Sequence, residues 1–159
     1  MRVHIGGDHA AYELLGDLVA FLEGEGHEVT NHGPHEYDSV DDYPVFCLRV
    51  GEAVAADPDS LGVVLGGSGN GEQMSANKVP GVRAALCYNE ELASLAREHN
   101  DARVISIGAR MTSTDDARAM VRTFLQTPFS GDPRHQRRID MLSAYEKSGT
   151  LPALPGSVD

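Results

Sequence analysis

Short apolar runs alternate with longer amphipathic stretches along most of this chain. Buried strands are predicted for the apolar runs at residues 2–7, 27–31, 61–65, 82–86 and 103–107. Helices are predicted where apolar residues recur at helical spacing, at residues 12–23, from 44 onward, and at 72–77, 90–99, 114–126 and 134–147. Strands that alternate with helices form right-handed β-α-β units, so we expect an α/β fold with a five-stranded parallel sheet and helices on both faces.

The length and composition predict one globular domain followed by a short tail. The chain has 159 residues, of which 41% are hydrophobic and 23% are charged. We expect the domain to span residues 1–147, and residues 148–159, which contain two prolines, to be loosely held. No apolar stretch approaches the roughly 20 residues that span a bilayer, and no signal sequence precedes the first strand. We therefore expect a cytoplasmic protein with no membrane partner.

The net charge of −11 is carried entirely by the first part of the chain. Residues 1–60 contain 13 acidic and 2 basic side chains, whereas residues 61–159 contain 11 of each. This overall sign disfavours a nucleic-acid partner. The later basic residues are clustered, however, as Arg134, His135, Arg137 and Arg138. Such a cluster in an acidic protein is a candidate for a local anion site.

The histidines and cysteines do not indicate a metal site. No H-E-x-x-H motif or comparable cluster is present, and Cys47 and Cys87 lack C-x-x-C spacing. We expect the two cysteines to be buried, reduced thiols. The sequence therefore predicts no metal and no cofactor.

The most informative stretch is LGVVLGGSGNGEQMSANK at residues 61–78, in which a strand leads through four glycines into a helix. Glycines let the backbone approach a ligand closely, and the N–H groups that begin the helix suit an anion. Neither common phosphate loop fits, because Glu72 stands where the dinucleotide motif needs glycine and where the P-loop needs lysine. A carboxylate there would repel phosphate. In one interpretation, the loop holds a developing oxyanion while Glu72 moves a proton. In the other, it is a plain turn, and the negative charge of Glu72 stabilises the N-terminus of the helix.

Several polar groups follow the predicted strands at one edge of the sheet. Ligands of open parallel sheets bind outside the carboxyl ends of the strands. Asp8 and His9 follow the first strand, the glycine loop and Glu72 follow the third, and Arg110 follows the fifth. We therefore expect these groups to converge.

Four stretches taken together resemble the family of ribose-5-phosphate isomerase B and the galactose-6-phosphate isomerase subunits. They read GGDHAAYELL, LGGSGNGEQMSANK, AREHNDARVISIGAR and RHQRRIDML, and the likeness extends to about Tyr145. The resemblance implies a Rossmann-like, doubly wound domain that forms a homodimer with active sites shared between subunits. It also implies interconversion of ribose 5-phosphate and ribulose 5-phosphate, a step of the pentose phosphate pathway, through an enediolate and without a metal.

The resemblance assigns the proton-transfer machinery to the glycine loop. One branch of the family uses a cysteine base at the position of Gly66, which cannot transfer a proton, so this chain resembles the branch in which Glu72 is the base. The hydroxyl of Ser68 and the backbone N–H groups of the following residues are expected to form the anion hole: Gly67, Gly69, Asn70 and Gly71. By itself, Ser68 fits equally well as a turn-forming serine.

The resemblance also assigns residues to the sugar. It implies that Asp8 binds the sugar oxygens and that His9 lies near the ring or the phosphate end of the substrate. It also implies that His99 opens the sugar ring and that Asn100 binds the substrate hydroxyls. His99 and Asn100 are expected to come from the partner subunit. The residues alone leave open other roles for both side chains. Asp8 fits equally a capping aspartate, and His99 fits a surface histidine, because a cationic histidine stabilises the C-terminal end of a helix.

The phosphate is expected to bind arginines. Arg134 and Arg138 are four residues apart, so both lie on one helical face and can bind one phosphate. Arg137 is rotated from Arg138 by about 100° and should face solvent or the dimer contact. Arg110 is a further candidate for the phosphate. A solvated surface position is the alternative for all four arginines.

Two other functions remain open from the sequence. The same enzyme could act on a six-carbon aldose 6-phosphate, such as the galactose or allose compound. A non-catalytic phosphate- or nucleotide-binding module of flavodoxin-like shape would also use a glycine-rich loop, but it would gain nothing from an acid at Glu72. The sequence itself leaves open the length of the pocket and so the size of the sugar.

Overall fold

The computed structural model describes residues 1–155 as five strands and six α-helices. The strands are β1 (Arg2–Gly7), β2 (Glu28–Asn31), β3 (Ser60–Gly66), β4 (Ala84–Leu86) and β5 (Val104–Gly108). The helices are α1 (Tyr12–Gly24), α2 (Tyr43–Ala56), α3 (Asn70–Ala76), α4 (Glu90–Asn100), α5 (Thr114–Gln126) and α6 (Pro133–Ser148). Within residues 1–155, no helix combines the length and the apolar character that a membrane crossing requires.

All five strands are parallel and lie in the order β2-β1-β3-β5-β4. The chain leaves β1 toward β2 on one side and later returns to place β3 on the other side of β1. The sheet therefore has a topological switch point between β1 and β3, the place where doubly wound proteins bind ligands. The predicted five-stranded α/β fold is confirmed.

Two hydrophobic cores cover the two faces of the sheet because successive strand residues point to opposite sides. In β3, Val63 and Leu65 pack with α1, α4 and α5, whereas Val64 packs on the opposite face with α2 and α3. The amphipathic stretches between the strands thus supply one layer of helices on each face, as their periodicity predicts.

The boundary of β4 differs from the prediction. The apolar run at residues 82–86 predicts a five-residue strand, but pairing with β5 begins only at Ala84. Gly81 has a φ of +80°, and the backbone of Val82 donates to Val79 to close a turn. Val82 is buried in the core but forms no strand pairing with β5. Its apolar character therefore did not distinguish a buried turn from a strand.

The end of the described chain is also slightly different from the prediction. Helix α6 runs through Ser148 and ends at Gly149 in a left-handed conformation. Residues 149–155 contain no helix or strand, and residues 156–159 of the predicted tail lie outside the described residues. The division into one domain and a loosely held tail stays a prediction.

The two cysteines are buried and free, as expected from their spacing. Burial raises the pKa of both the Cys47 and the Cys87 thiols. Both thiols are therefore protonated near neutral pH and are poorly suited to act as bases.

Candidate active site

Backbone hydrogen bonds draw the carboxyl ends of β1, β3 and β5 together. The N–H of Asp8 donates to Leu65 O over 3.1 Å, which joins the end of β1 to β3. The N–H of Arg110 donates to Gly67 O over 3.1 Å, which joins the end of β5 to the glycine loop. A Cβ atom at Gly67 would lie 3.5 Å from the Arg110 guanidinium, so the arginine side chain lies over the loop.

A cavity of about 460 Å³ opens at this edge, at the switch point between β1 and β3. Its walls are formed by Asp8, His9, Ala10, Tyr43, Gly67, Ser68, Gly71, Glu72, Arg110 and Met111. The structure therefore brings together the groups that the sequence placed after β1, β3 and β5. Their roles in catalysis remain predictions.

Glu72 lies in the first turn of α3 and is buried, with 4% of its surface exposed. Its Oε2 accepts no hydrogen bond from the residues that the structure describes. Burial raises the pKa of this carboxyl group, and the negative charge of Asp8 raises it further. A raised pKa makes the ionised carboxylate a stronger base, as a residue that abstracts a carbon-bound proton requires.

Gly66 is the last residue of β3 and lies directly against Glu72. A Cβ atom at this position would overlap the carboxyl group of Glu72. The side chain of Glu72 therefore occupies the space that a side chain at position 66 would fill. A larger residue here would force the Glu72 carboxyl group to move, whereas the backbone of Gly66 has no positive φ.

The glycine loop is held in a fixed shape by its own contacts. Gly69 adopts a left-handed φ of +82° before α3, and its carbonyl accepts a 2.7 Å hydrogen bond from the buried Ser106 hydroxyl. The Ser68 hydroxyl accepts hydrogen bonds from the backbone N–H and the side-chain amide of Asn70. Ser68 is thus a turn-forming serine, and it still has a hydroxyl proton to donate into the cavity.

Tyr43 is a site residue that the sequence reasoning missed. It begins α2, and its ring packs on the glycine loop so closely that a Cβ atom at Gly71 would lie 2.5 Å from the ring. A tyrosine before a proline at the start of a helix carries no recognisable signal of this contact. A larger residue at position 71 would force the Tyr43 ring to move.

Asp41 is a second missed residue, and it holds His9 in place. One oxygen of Asp41, Oδ1, accepts from the His9 ring Nδ1 over 2.7 Å and from the His9 backbone N–H over 2.9 Å. The Asp41 hydrogen bond raises the pKa of His9, with a smaller contribution from the charge of Asp8. The acidic loop at residues 38–42 was the available signal, but nothing in the sequence paired it with His9.

Asp8, His9 and Asp41 form the one group in residues 1–155 whose ligand atoms lie close enough to hold a metal ion, within 4.8 Å of one another. The carboxylate of Asp8 also accepts from the backbone N–H of Ala10, so it caps the short 3-10 helix His9–Ala11. That helix was not predicted. Each of these side chains already has a hydrogen-bonding function in the protein.

A second cavity, of about 580 Å³, adjoins the first one at His9 and Ala10. Tyr12 and Tyr37 line it, and their rings meet edge to face with centroids 5.7 Å apart. His9 lies in the wall between the two cavities.

The predicted site residues that do not line the first cavity are Gly69, Asn70, His99, Asn100, Arg134 and Arg138. The backbone N–H of Asn70 donates to the Ser68 hydroxyl and not into the cavity. Helix α4 begins after the carboxyl end of β4 and runs back antiparallel to the strands, so it ends at the opposite edge of the sheet. The carbonyl of Asn100 accepts a 2.8 Å hydrogen bond from Arg83 Nε, directly before β4 begins. His99 and Asn100 therefore lie at the amino edge, away from Glu72 of the same chain.

The arginines of α6 are accessible to solvent. Arg134, Arg137 and Arg138 are all exposed, and Arg134 Nε lies 3.2 Å from Asp132 Oδ2. Exposure therefore does not separate the predicted phosphate ligands from Arg137. The predicted shared face of Arg134 and Arg138 follows from their spacing on a continuous helix.

A buried carboxylate beside a glycine loop, at the switch point of a doubly wound sheet, lies where α/β enzymes bind their ligands. The chain belongs to the ribose/galactose isomerase family, whose model matches residues 3–142.

Similar proteins support this assignment along nearly the whole chain. Ribose-5-phosphate isomerase B of Mycolicibacterium paratuberculosis is 54% identical, with 99% of each chain covered. The structure of the Clostridium thermocellum ribose-5-phosphate isomerase B has a TM-score of 0.89 at 40% identity and covers 94% of this chain and 100% of its own. The Mycoplasma genitalium enzyme with bound ribulose-5-phosphate has a TM-score of 0.89 at 38% identity, with 92% and 97% covered.

Proposed function

We propose that the protein interconverts ribose 5-phosphate and ribulose 5-phosphate by moving a proton between carbons 1 and 2 through an enediolate. The observation that carries the proposal is the buried Glu72 carboxylate with one unpartnered oxygen in the wall of the cavity. The relatives named ribose-5-phosphate isomerase B support the choice of sugar. A binding module without chemistry would gain nothing from a buried base at this position.

Glu72 takes the proton from carbon 2 of the open aldose, and the electrons of that C–H bond form the enediolate. The carbonyl oxygen at carbon 1 becomes the oxyanion, which Ser68 and the backbone N–H groups of the glycine loop stabilise. Glu72 returns the proton to carbon 1 while the hydroxyl at carbon 2 loses its proton to the oxyanion, which yields the ketose. Asp8 binds the sugar hydroxyls, and His9 and Arg110 add positive charge at the cavity wall.

The remaining ligands come from a second copy of the chain in our proposal. His99 and Asn100 lie at the amino edge of the sheet, and Arg134 and Arg138 extend from α6, so one chain offers the cavity and its partner offers these groups. Helix α6 also exposes apolar side chains, at Met141, Leu142 and Tyr145, which suit burial against another protein surface. A homodimer with two shared sites accounts for both features.

An assay across aldose phosphates tests the substrate. Ribose 5-phosphate, galactose 6-phosphate and allose 6-phosphate would each be supplied to the purified protein, and ketose formation would be measured with a coupled enzyme. We expect the highest kcat/KM with ribose 5-phosphate. A higher kcat/KM with a six-carbon substrate would show that the substrate is a hexose phosphate. No turnover with any of the three would contradict the proposed isomerase activity.

Subunit mixing tests the shared site. Glu72→Gln subunits and His99→Ala subunits, each inactive alone on cyclic substrate, would be exchanged and assayed together. Random exchange puts both lesions in one site of each mixed dimer and leaves the other site intact, so about a quarter of the wild-type activity should return. No recovery despite demonstrated exchange would show that both residues serve one site of the same chain.

We also propose a cytoplasmic location, because sugar phosphates are charged metabolites that do not cross membranes unaided. Cell fractionation followed by immunodetection tests it, and recovery of the protein outside the cytoplasmic fraction would contradict it.

A further inference from the structure

His135 is buried on a helix whose neighbouring side chains are exposed. It is 4% exposed, whereas Arg134 before it and Gln136 after it both face solvent. Only His135 and Ile139 are buried within α6. A buried histidine is less common than a buried aliphatic residue, so its particular contacts merit an explanation.

The ring of His135 lies against the ring of His99. The two ring centroids are 4.2 Å apart and the planes are inclined by 36°, which is a tilted stack between the start of α6 and the last turn of α4. Such a contact restricts the plane of the half-buried His99 ring.

Ser130 fixes His135 in turn, and it is also attached to α4. Its hydroxyl lies 2.8 Å from His135 Nδ1, and its backbone N–H donates to Glu98 O over 3.0 Å. The residue that orients His135 is therefore bonded to the residue directly before His99. The three residues Ser130, His135 and His99 form one connected unit, which we call the histidine stack.

The contacts favour a neutral His135. The Ser130 hydroxyl accepts from the backbone N–H of Asp132, which leaves its proton free to be donated to Nδ1 and places the ring proton on Nε2. Burial lowers the pKa of His135, as do the charges of His99, Arg134 and Arg138, while the charge of Asp132 opposes them. A neutral ring can lie against His99 without like-charge repulsion when His99 carries a proton.

We propose that His135 is a positioning residue for His99 and holds its imidazole in the orientation that opens the sugar ring. This inference rests on the ring-opening role of His99 in the proposed function. Ring opening transfers a proton from the carbon 1 hydroxyl to the ring oxygen as the C1–O bond breaks, which yields the open aldehyde. His99 carries that proton, and its ring must face both oxygens in turn, so a fixed ring plane favours the transfer. An aliphatic side chain at position 135 could fill the space but could not bond to Ser130.

The experiment compares a cyclic with an acyclic substrate. Ribose 5-phosphate cyclises, whereas a four-carbon aldose 4-phosphate cannot close the corresponding ring and needs no ring opening. His135→Ala should lower kcat/KM for ribose 5-phosphate about three- to tenfold, the size of one aromatic contact, and change it less than about twofold for the four-carbon substrate. Gln136→Ala, the exposed neighbour, serves as the matched control and should change neither value.

Two conservative variants keep the test independent of folding. His135→Phe retains a flat ring without the Ser130 bond, and Ser130→Ala retains the ring without its anchor. If His135→Ala does not fold, these two variants test the proposal in its place. Each should lower kcat/KM for ribose 5-phosphate, by less than His135→Ala, and leave kcat/KM for the four-carbon substrate nearly unchanged. Equal losses on the two substrates, or no loss on either, would overturn the proposal.

His99→Ala in the same assay separates failure of this inference from failure of the proposed function. A loss specific to the cyclic substrate in His99→Ala but not in the His135 variants would overturn the positioning role alone. Equal losses on both substrates in His99→Ala would withdraw the ring-opening role itself, and the inference about His135 with it.

Discussion

The two edges of the sheet are built in different ways. At the carboxyl edge, Asp8 and Glu72 are buried, and the glycine loop is held by backbone bonds to its neighbours. At the amino edge, Asn100, Arg134 and Arg138 are exposed, and the histidine stack lies beside them. One chain thus contains an open cavity with two buried carboxyl groups in its wall and, at a distance from it, a set of accessible polar groups.

In the proposed function, this difference separates the base, Glu72, from the phosphate-binding arginines of α6. A base benefits from burial, because desolvation raises its pKa, whereas groups that bind a phosphate dianion must remain charged and accessible. Placing them at opposite edges lets each have its own environment. In the proposed dimer the two environments meet only when two chains associate. The following predictions probe the two edges separately.

The largest effect is expected at the carboxyl edge. Glu72→Gln retains the shape of the side chain and removes the base, so kcat should fall by about 10²–10⁴-fold with KM roughly unchanged. Steady-state kinetics would measure this, with the exposed Glu52→Gln as a control for loss of a carboxylate. Near-normal turnover in the folded variant would place the base elsewhere.

At the amino edge, the expected effect is on binding. Arg134→Ala and Arg138→Ala should each raise KM by an amount on the order of 1.5–3 kcal/mol, or about ten- to hundredfold, because each removes a charge-assisted contact to phosphate. Arg137→Ala is the matched control and should change KM less. Equal increases for all three arginines would mean that α6 is not oriented as proposed.

A smaller, pH-dependent effect is expected for Asp41→Asn. The Asp41 carboxylate raises the pKa of His9, so the cationic form of His9 persists to higher pH and is lost as pH rises through that value. Without the carboxylate, this loss should occur at lower pH, so the alkaline limb of kcat/KM should move toward acid by a measurable fraction of a pH unit. Asp42→Asn is the adjacent control. An alkaline limb that does not move would exclude a cationic role for His9.

The acid limb of the pH profile of kcat/KM should report the protonation of Glu72 at the carboxyl edge. Because burial raises the pKa of Glu72, the ionised base is lost as pH falls through a value above that of an ordinary glutamate. In this protein, activity should therefore decline on acidification before an unperturbed carboxyl would protonate.

No effect is expected from chelation. Asp8, His9 and Asp41 could supply metal ligands, but the proposed reaction assigns each of them to substrate or to hydrogen bonding. Activity should therefore survive prolonged dialysis against EDTA. Loss of activity that a divalent ion restores would contradict a metal-independent mechanism and would identify this group as the first place to look for the ion.

The residues whose positions the sequence predicted are those set by local spacing, and their roles stay predictions. The glycine loop and Glu72 lie within one strand-turn-helix unit, and the arginines of α6 are four residues apart on one helix. The missed residues act across long separations, since Asp41 contacts His9 from 32 residues away and Tyr43 packs on Gly71 from another helix. Such contacts arise only when the elements pack, and local sequence carries no record of them.

The contact between Gly66 and Glu72 also couples the two positions over evolutionary time. A side chain at position 66 and the carboxyl group of Glu72 in its present rotamer occupy one volume, so a larger residue at 66 would displace that carboxyl group. If Glu72 is the base, as proposed, a change at position 66 therefore alters the placement of the base. The two positions are therefore epistatic, and the amino acid tolerated at one depends on the amino acid present at the other.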